Sequence, residues 1–246
     1  MRIALLSDIH ANREAFEAVL ATASVQSAGR LVILGDIVGY GGDPVWCLRK
    51  TMTLADEGAV VIRGNHDQGV IDPSVSMNET ARAAIDWTRA QLSADEKSFL
   101  ATLPLQVEDD DRLYVHADAS SPQRFHYVTD TDAAGIHFSA CRARLSFCGH
   151  VHCPALYALA PSGKVTGFVP NSPSGIPLLP QWRWLAVMGA VGQPRDGNPA
   201  AAFAILDTTT SEIEYHRTGY DIEKAAARIR AAGLSEALAM RLFRGR

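Results

Sequence analysis

Leu31-Val32-Ile33-Leu34-Gly35-Asp36 decides the reading of this chain: four apolar residues in a row, then a glycine, then a carboxylate. So short and so uniformly apolar a run fits a strand buried on both faces. The same arrangement occurs before and after it. Ile3-Ala4-Leu5-Leu6 runs into Asp8-Ile9-His10, and Ala59-Val60-Val61-Ile62 runs into Gly64-Asn65-His66-Asp67. Helical patterns separate these runs. Phe16, Val19, Leu20 and Ala23 recur at helical spacing and predict an amphipathic helix over 13–26. Asp43-Pro44 reads as an N-cap followed by proline at the first helical position, opening a helix to about Ala55. The opening segment is therefore a βαβαβ unit, with a polar cluster at the end of each strand.

Outward from that unit, a helix follows from about Glu79 to Leu92, and Ser93-Ala94-Asp95-Glu96 is a capping box for the next, which Pro104 closes. Beyond it strands dominate, at 113–115, 145–147, 155–159, 165–169, 185–187, 202–206 and 212–216. Ser162-Gly163 and Thr208-Thr209-Thr210-Ser211 read as hairpin turns, so this half is expected to be antiparallel. Pro170 to Pro180 reads as a long loop or small insertion. A last amphipathic helix covers roughly Ile222 to Phe243 and breaks near Gly233. Two sheets packed face to face, with helices outside, would bury both sets of strands. With 246 residues, 47% of them hydrophobic, the chain can do this as one domain spanning 1–246.

Charge narrows the partners. The 23 basic and 27 acidic residues give a net charge of −4, which offers no footprint for a nucleic-acid duplex or an anionic membrane. Positive charge at any phosphate-binding site must come from a local source, and a metal is the obvious one. Asp8 interrupts the first apolar run too early for a secretory segment or a membrane span, and no later run is long enough, so a cytoplasmic location is expected. Cys47, Cys141, Cys148 and Cys153 form no CxxC pair and read as reduced, mostly buried thiols.

The chemistry is carried at the strand ends. Asp8 and His10, Asp36, Asn65 and His66, His116 after Val115, and His150 and His152 each follow an apolar strand. Ligand sites in α/β sheets form beyond the carboxyl ends of strands, so these side chains are expected to converge. Imidazole, carboxylate and amide donors without thiolate suit manganese, iron, zinc or nickel rather than a structural zinc cage. Asp8 and His10, like His150 and His152, would share one side if their segments stayed extended, and Gly35, Gly64 and Gly149 would let the backbone turn beside the metals. Any one such residue alone is more often a turn residue. Five clusters in this order point to a site.

Together, D-x-H at 8–10, G-D at 35–36, G-N-H-D at 64–67, His116 and G-H-x-H at 149–152 resemble the calcineurin-like metallophosphoesterases. GDIVGYG at 35–41 and VGQPRDG at 191–197 resemble the bacterial branch grouped with diadenosine tetraphosphatases. The resemblance covers nearly the whole chain and implies a four-layer α/β/β/α sandwich with two divalent metal ions. It implies that Asp8, His10, Asp36 and His152 hold one metal, and that Asp36, Asn65, His116 and His150 hold the other, with Asp36 as the bridge. His66 would face the substrate as the catalytic residue outside the metal shell, with Asp67 either orienting it or capping a helix. Two cations about 3.5–4 Å apart can lower the pKa of a shared water toward about 7, and that hydroxide would attack a phosphodiester or nucleotide-type phosphoanhydride. The sequence departs from the family pattern at Val151, which should point away from the metals, and at His116-Ala117-Asp118.

Other residues remain open between two readings. Asn12 can reach a phosphate oxygen or cap a helix, Arg195 can contact phosphate or sit in a solvated turn, and Tyr40 can line the pocket. His126, His137 and His216 match no motif and read as surface or packing residues. A metal-binding scaffold is disfavoured because every ligand position is occupied. A nuclease would want a basic DNA-facing surface. A phosphoprotein or phosphomonoester phosphatase is the main alternative, but such enzymes clamp the phosphate dianion with an arginine soon after G-D, and 35–41 contains none. Arg63 and Arg195 are the residues that could replace it.

Overall fold

The computed structural model describes residues 1–25, 27–170 and 174–246. The expected end of the first helix at 26, the packing of Ala23, and residues 171–173 of the proline-rich stretch lie outside the described residues. In chain order the elements are β1 (Arg2–Leu6), α1 (Arg13–Val25), β2 (Arg30–Ile33), α2 (Pro44–Asp56), β3 (Val60–Val61), α3 (Asn65–Ile71), α4 (Glu79–Gln91) and α5 (Ala94–Thr102). There follow β4 (Gln106–Asp109), β5 (Arg112–Val115), α6 (Thr131–Ala140), β6 (Leu145–Cys148), β7 (Ala155–Leu159), β8 (Val165–Phe168) and β9 (Ile176–Pro177). The last are β10 (Arg183–Val187), β11 (Ala201–Asp207), β12 (Glu212–Thr218), α7 (Ile222–Ala231) and α8 (Glu236–Arg244).

Two six-stranded sheets form, ordered β3-β2-β1-β11-β12-β9 and β4-β5-β6-β10-β7-β8. Alternation along β1 shows how the layers are made. Ile3 and Leu5 point between the sheets, where they meet Tyr114, Phe147, Trp184, Leu206 and Tyr215. Ala4 and Leu6 point the other way, into the core that α1, α2 and α5 cover through Phe16, Val19, Leu48 and Leu100. On the outer face of the second sheet, Val115, Leu185 and Val187 pack under Phe138 of α6. Helix, sheet, sheet, helix is the four-layer sandwich the sequence implied.

The second half is not simply antiparallel. β6 runs parallel to β5, because α6 carries the chain back between them as a crossover, and β10 is also parallel to β6. The final hairpin of β11 and β12 joins the first sheet, with β11 antiparallel to β1. The proline-rich stretch supplies β9, which pairs at the edge of β12. Asp43 stands at the N-cap of α2 but makes no capping bond; its carboxylate pairs instead with Arg228, 3.1 Å away. Ser93 and Glu96 do form the reciprocal capping box of α5. Among the described residues no helix is long and apolar enough to cross a membrane.

Candidate metal centre

The carboxyl ends of β1 and β2 from the first sheet, and of β5 and β6 from the second, open onto one site. The two sheets are laced together there: the His150 N–H donates to Asp8 Oδ2 at 3.0 Å and the Val191 N–H to the Ser7 carbonyl, while the Gly149 N–H donates to the His116 carbonyl within the second sheet.

The backbone here is not extended, contrary to the reading of D-x-H and H-x-H. Asp8 (φ 55°), His10 (φ 48°), Asp36 (φ 53°), His150 (φ 66°) and His152 (φ 63°) all adopt the left-handed conformation, which costs L-residues energy. Neighbouring loops hold them in it. The Asp8, His10 and Ala11 N–H groups donate to the carbonyls of Gly35, Asp36 and Ile37 at 3.1, 2.9 and 2.9 Å. Of the three glycines expected to turn the chain, only Gly35 (φ 90°) does so by a positive φ. Gly64 and Gly149 serve by lacking a side chain, since a Cβ at 64 would strike the Asp36 carboxylate and one at 149 the Ser7 hydroxyl and Asp8.

Asp8, His10, Asp36 and His152 form one buried group of possible ligand atoms, and Asp36, His116 and His150 a second, each with its atoms within 4.8 Å of one another. Asn65 Oδ1 lies 3.3 Å from His116 Nε2 and completes the second group. The tautomers can be worked out from the outer hydrogen bonds. The Nδ1 atoms of His10, His116 and His152 face the carbonyls of Val38, Leu34 and Gln193 at 3.3, 2.6 and 2.6 Å, so each Nδ1 carries the proton. The Nε2 atoms therefore point inward. His10 Nε2 and His152 Nε2 stand 3.1 Å apart, and the Nε2 of His116 faces Asp36 Oδ2 at 3.4 Å. Asp8 Oδ1 is buried, has no hydrogen-bond partner, and lies 3.3 Å from His152 Nε2. Buried carboxylate oxygens and imidazole nitrogens converging at such distances can share a cation. The donor set fits two divalent ions.

Electrostatics agree with this arrangement. Burial alone would raise both carboxylates, but attraction to His152 outweighs it at Asp8 and attraction to His116 at Asp36, holding both well below the usual carboxylate range; against its own burial, His116 is raised by the Asp36 charge to about 9. Burial pushes His10 well below its ordinary value, His150 down to about 3 and His66 down to about 4. Burial and the Asp36 charge push Asp67 up to about 7. Asp67 neither touches the His66 ring nor caps from the first position. It accepts from the N–H groups of Gly64, Ile37 and Val38 at 3.0, 3.0 and 3.3 Å, tying the second and third polar loops together.

A cleft of about 440 Å³ opens over the cluster, lined by Asp36, Asn65, His66, His150 and His152. Tyr40 and Arg195 lie on its wall, the Arg195 guanidinium 5.8 Å above the Tyr40 ring and bonded to Gln193. Tyr40 also packs against His66, with ring centroids 4.3 Å apart. Asn12 does not reach the cleft. Its Oδ1 accepts from the Ala15 N–H and caps α1, and its Nδ2 donates to the Gly192 carbonyl, so both ends of the amide are used in structural bonds. Arg63 turns away and donates to the Ala101 carbonyl. Val151 packs into the apolar layer under α6, as expected. His126 pairs with Asp118, His216 with Glu214, and His137 is buried in α6. All four cysteines are free thiols.

Sequence reasoning missed the opposite wall of the cleft, where Gln123, Arg124, Phe125 and Tyr127 stand. Two aromatics and an arginine within Arg124-Phe125-His126-Tyr127 were the available signal. The run follows no strand and matches none of the motifs.

Comparison with known proteins places these features. The calcineurin-like phosphoesterase superfamily domain matches residues 1–211. An uncharacterized protein of Methanocaldococcus jannaschii is 34% identical over 99% of this chain and 98% of its own length. The crystal structure of a metallophosphoesterase from Sphaerobacter thermophilus is 36% identical, covers 100% of both chains and superposes with a TM-score of 0.88. A hypothetical protein of Pyrococcus horikoshii, 20% identical over 100% of this chain and 98% of its own, shares the fold with a TM-score of 0.80. A symmetrical bis(5'-nucleosyl)-tetraphosphatase of Paraburkholderia phymatum is 30% identical over 45% of this chain and 39% of its own length. With the family match and a buried Asp/His cluster suited to two metals, the chain belongs to the calcineurin-like phosphoesterases and is a metal-dependent phosphoester hydrolase.

Proposed function

We propose that this protein hydrolyses a phosphodiester or a nucleotide-type phosphoanhydride, with Asp8, His10, Asp36 and His152 holding one divalent cation and Asp36, Asn65, His116 and His150 the other. The observation that carries this reading is the inward convergence of buried histidine Nε2 atoms on the carboxylates of Asp8 and Asp36, in two groups that share Asp36. The buried nitrogen and oxygen donors suit manganese, iron, zinc or nickel. When bound, such a pair lowers the pKa of a water toward about 7 and neutralises phosphoryl oxygens.

The chain's own groups do the rest. Asp36 stands in both ligand groups and would bridge them. Burial holds His66 neutral at pH 7, so it would act as an N–H donor to charge developing on the leaving oxygen rather than as an imidazolium. Tyr40 packs against the His66 ring and limits its rotation. The diester preference is supported by the absence of arginine in 35–41 and by Arg63 pointing away from the site. The partial match to a bis(5'-nucleosyl)-tetraphosphatase points the same way.

Arg195, on the cleft wall, favours a second reading as a phosphomonoester or phosphoprotein phosphatase, since one guanidinium there can take a dianion's extra charge. The two are separated by kcat/KM for bis-p-nitrophenyl phosphate, p-nitrophenyl phosphate, diadenosine tetraphosphate and a phosphopeptide with one metal. The diester or the anhydride should lead, and a clear preference for the phosphopeptide would overturn the first reading.

A further inference from the structure

The wall formed by 123–127 has no role in holding metals, yet it is built with care. Phe125 adopts φ 52°, a left-handed conformation that is costly for a bulky residue, and its ring is thereby held 5.8 Å from that of His116. Asp118 anchors the start of the segment. Its Oδ1 accepts from the N–H and hydroxyl of Ser120 and from the N–H of Ser121, while Oδ2 pairs with His126 at 3.2 Å. With Phe125 against His116 and His126 tied to Asp118, the loop places the Tyr127 ring flat against His150, with centroids 4.1 Å apart and planes 18° from parallel. Tyr127 nevertheless remains 55% exposed, among the most exposed large apolar side chains described. One face covers an imidazole of the cluster and much of the remaining surface meets the cleft and solvent. Arg124 stands beside it, and Met77 and Ala81 line the facing side.

An aromatic face backed by His150 and left open beside the metal cluster, in a cleft of about 440 Å³, is what a planar ring stacks on. We infer that Tyr127 is a stacking platform for the nucleobase of a nucleotide ester, so that the segment 123–127 selects nucleoside over simple alkyl substituents. This rests on the phosphodiester or anhydride reading of the site and names the substituent that reading leaves open.

The test separates the two claims. By equilibrium dialysis of the manganese-loaded protein, adenosine monophosphate should bind about 10- to 100-fold more tightly than ribose 5-phosphate, the scale of one base stacked on an aromatic ring. Tyr127→Ala should bring that ratio close to one, and Tyr127→Phe should restore it. In turnover, kcat/KM for thymidine 5'-(p-nitrophenyl phosphate) relative to methyl p-nitrophenyl phosphate should fall in Tyr127→Ala mainly through KM, because both esters release the same phenolate. Equal affinity for the two ligands in the unaltered protein would overturn the platform. So would a Tyr127→Ala variant that weakens both ligands, or slows both esters, to the same extent, for then Tyr127 only shields His150. Tyr127-dependent binding of the nucleotide without turnover of either ester would keep the platform and sink the phosphodiester reading.

Discussion

Asp36 carries more of this site than any other side chain. It is buried, it adopts a left-handed backbone, and it is the one residue common to both ligand groups. Its other carboxylate oxygen accepts from the His66 N–H at 2.8 Å, so it also sets the position of the residue proposed to meet the leaving group. Asp36→Asn should therefore remove nearly all phosphodiesterase activity and reduce bound metal, checked by turnover and metal analysis together. His66 should behave differently, since its Nδ1 is buried without a hydrogen-bond partner and its ring lines the cleft. His66→Asn should lower kcat by about 10²–10⁴ while metal content stays at the level of the unaltered protein. Loss of metal in that variant would make His66 a ligand. These residues were legible because each follows an apolar strand and is of a type that binds hard or borderline cations. Their backbone geometry was not legible, because left-handed φ values in Asp and His depend on contacts with loops far away in sequence.

At the level of elements, what positions the site is the meeting of loops at the ends of strands in different sheets. Gly64 is the tightest of these contacts, as α3 begins against the Asp36 carboxylate with no room for a side chain. Gly64→Ala should displace Asp36 and lower metal affinity, with the circular dichroism spectrum retained; unchanged metal binding would show that the two loops can separate freely. The apolar strands and the capped helix α5 were plain in the sequence. α6 was not, because Thr131–Ala140 carries Gly135 and His137 where a regular apolar stripe would be, and its N-cap Asp130 is the main local signal. The polar edge strand β4 was hidden for a similar reason, since Gln106, Glu108 and Asp109 read as loop until β5 pairs with them. The aromatic wall at 123–127 has no period at all and takes its meaning only from the cleft it faces.

Across the whole molecule, the sandwich buries polar groups that matter outside the site. His137 is sunk in the layer outside the second sheet, and burial lowers it from 6.5 to about 4. A histidine depressed in the folded state favours the neutral form, so the unfolded chain takes up the proton first. Its contribution is complete above about pH 6.5 and is lost as pH falls toward 4, amounting to about 3 kcal/mol over that window. Denaturant unfolding at pH 7.5 and pH 5 should show a smaller acid penalty in His137→Gln than in the unaltered protein, and an identical penalty would contradict the assignment. The central claim, however, is that one buried cluster spanning both sheets works only with two cations. It is tested most directly by stripping the protein with chelator and following hydrolysis of bis-p-nitrophenyl phosphate as manganese is added back. The account predicts no activity in the stripped protein and a rise that reaches its plateau at two equivalents per chain. Full activity without metal, or a plateau at one equivalent, would contradict it.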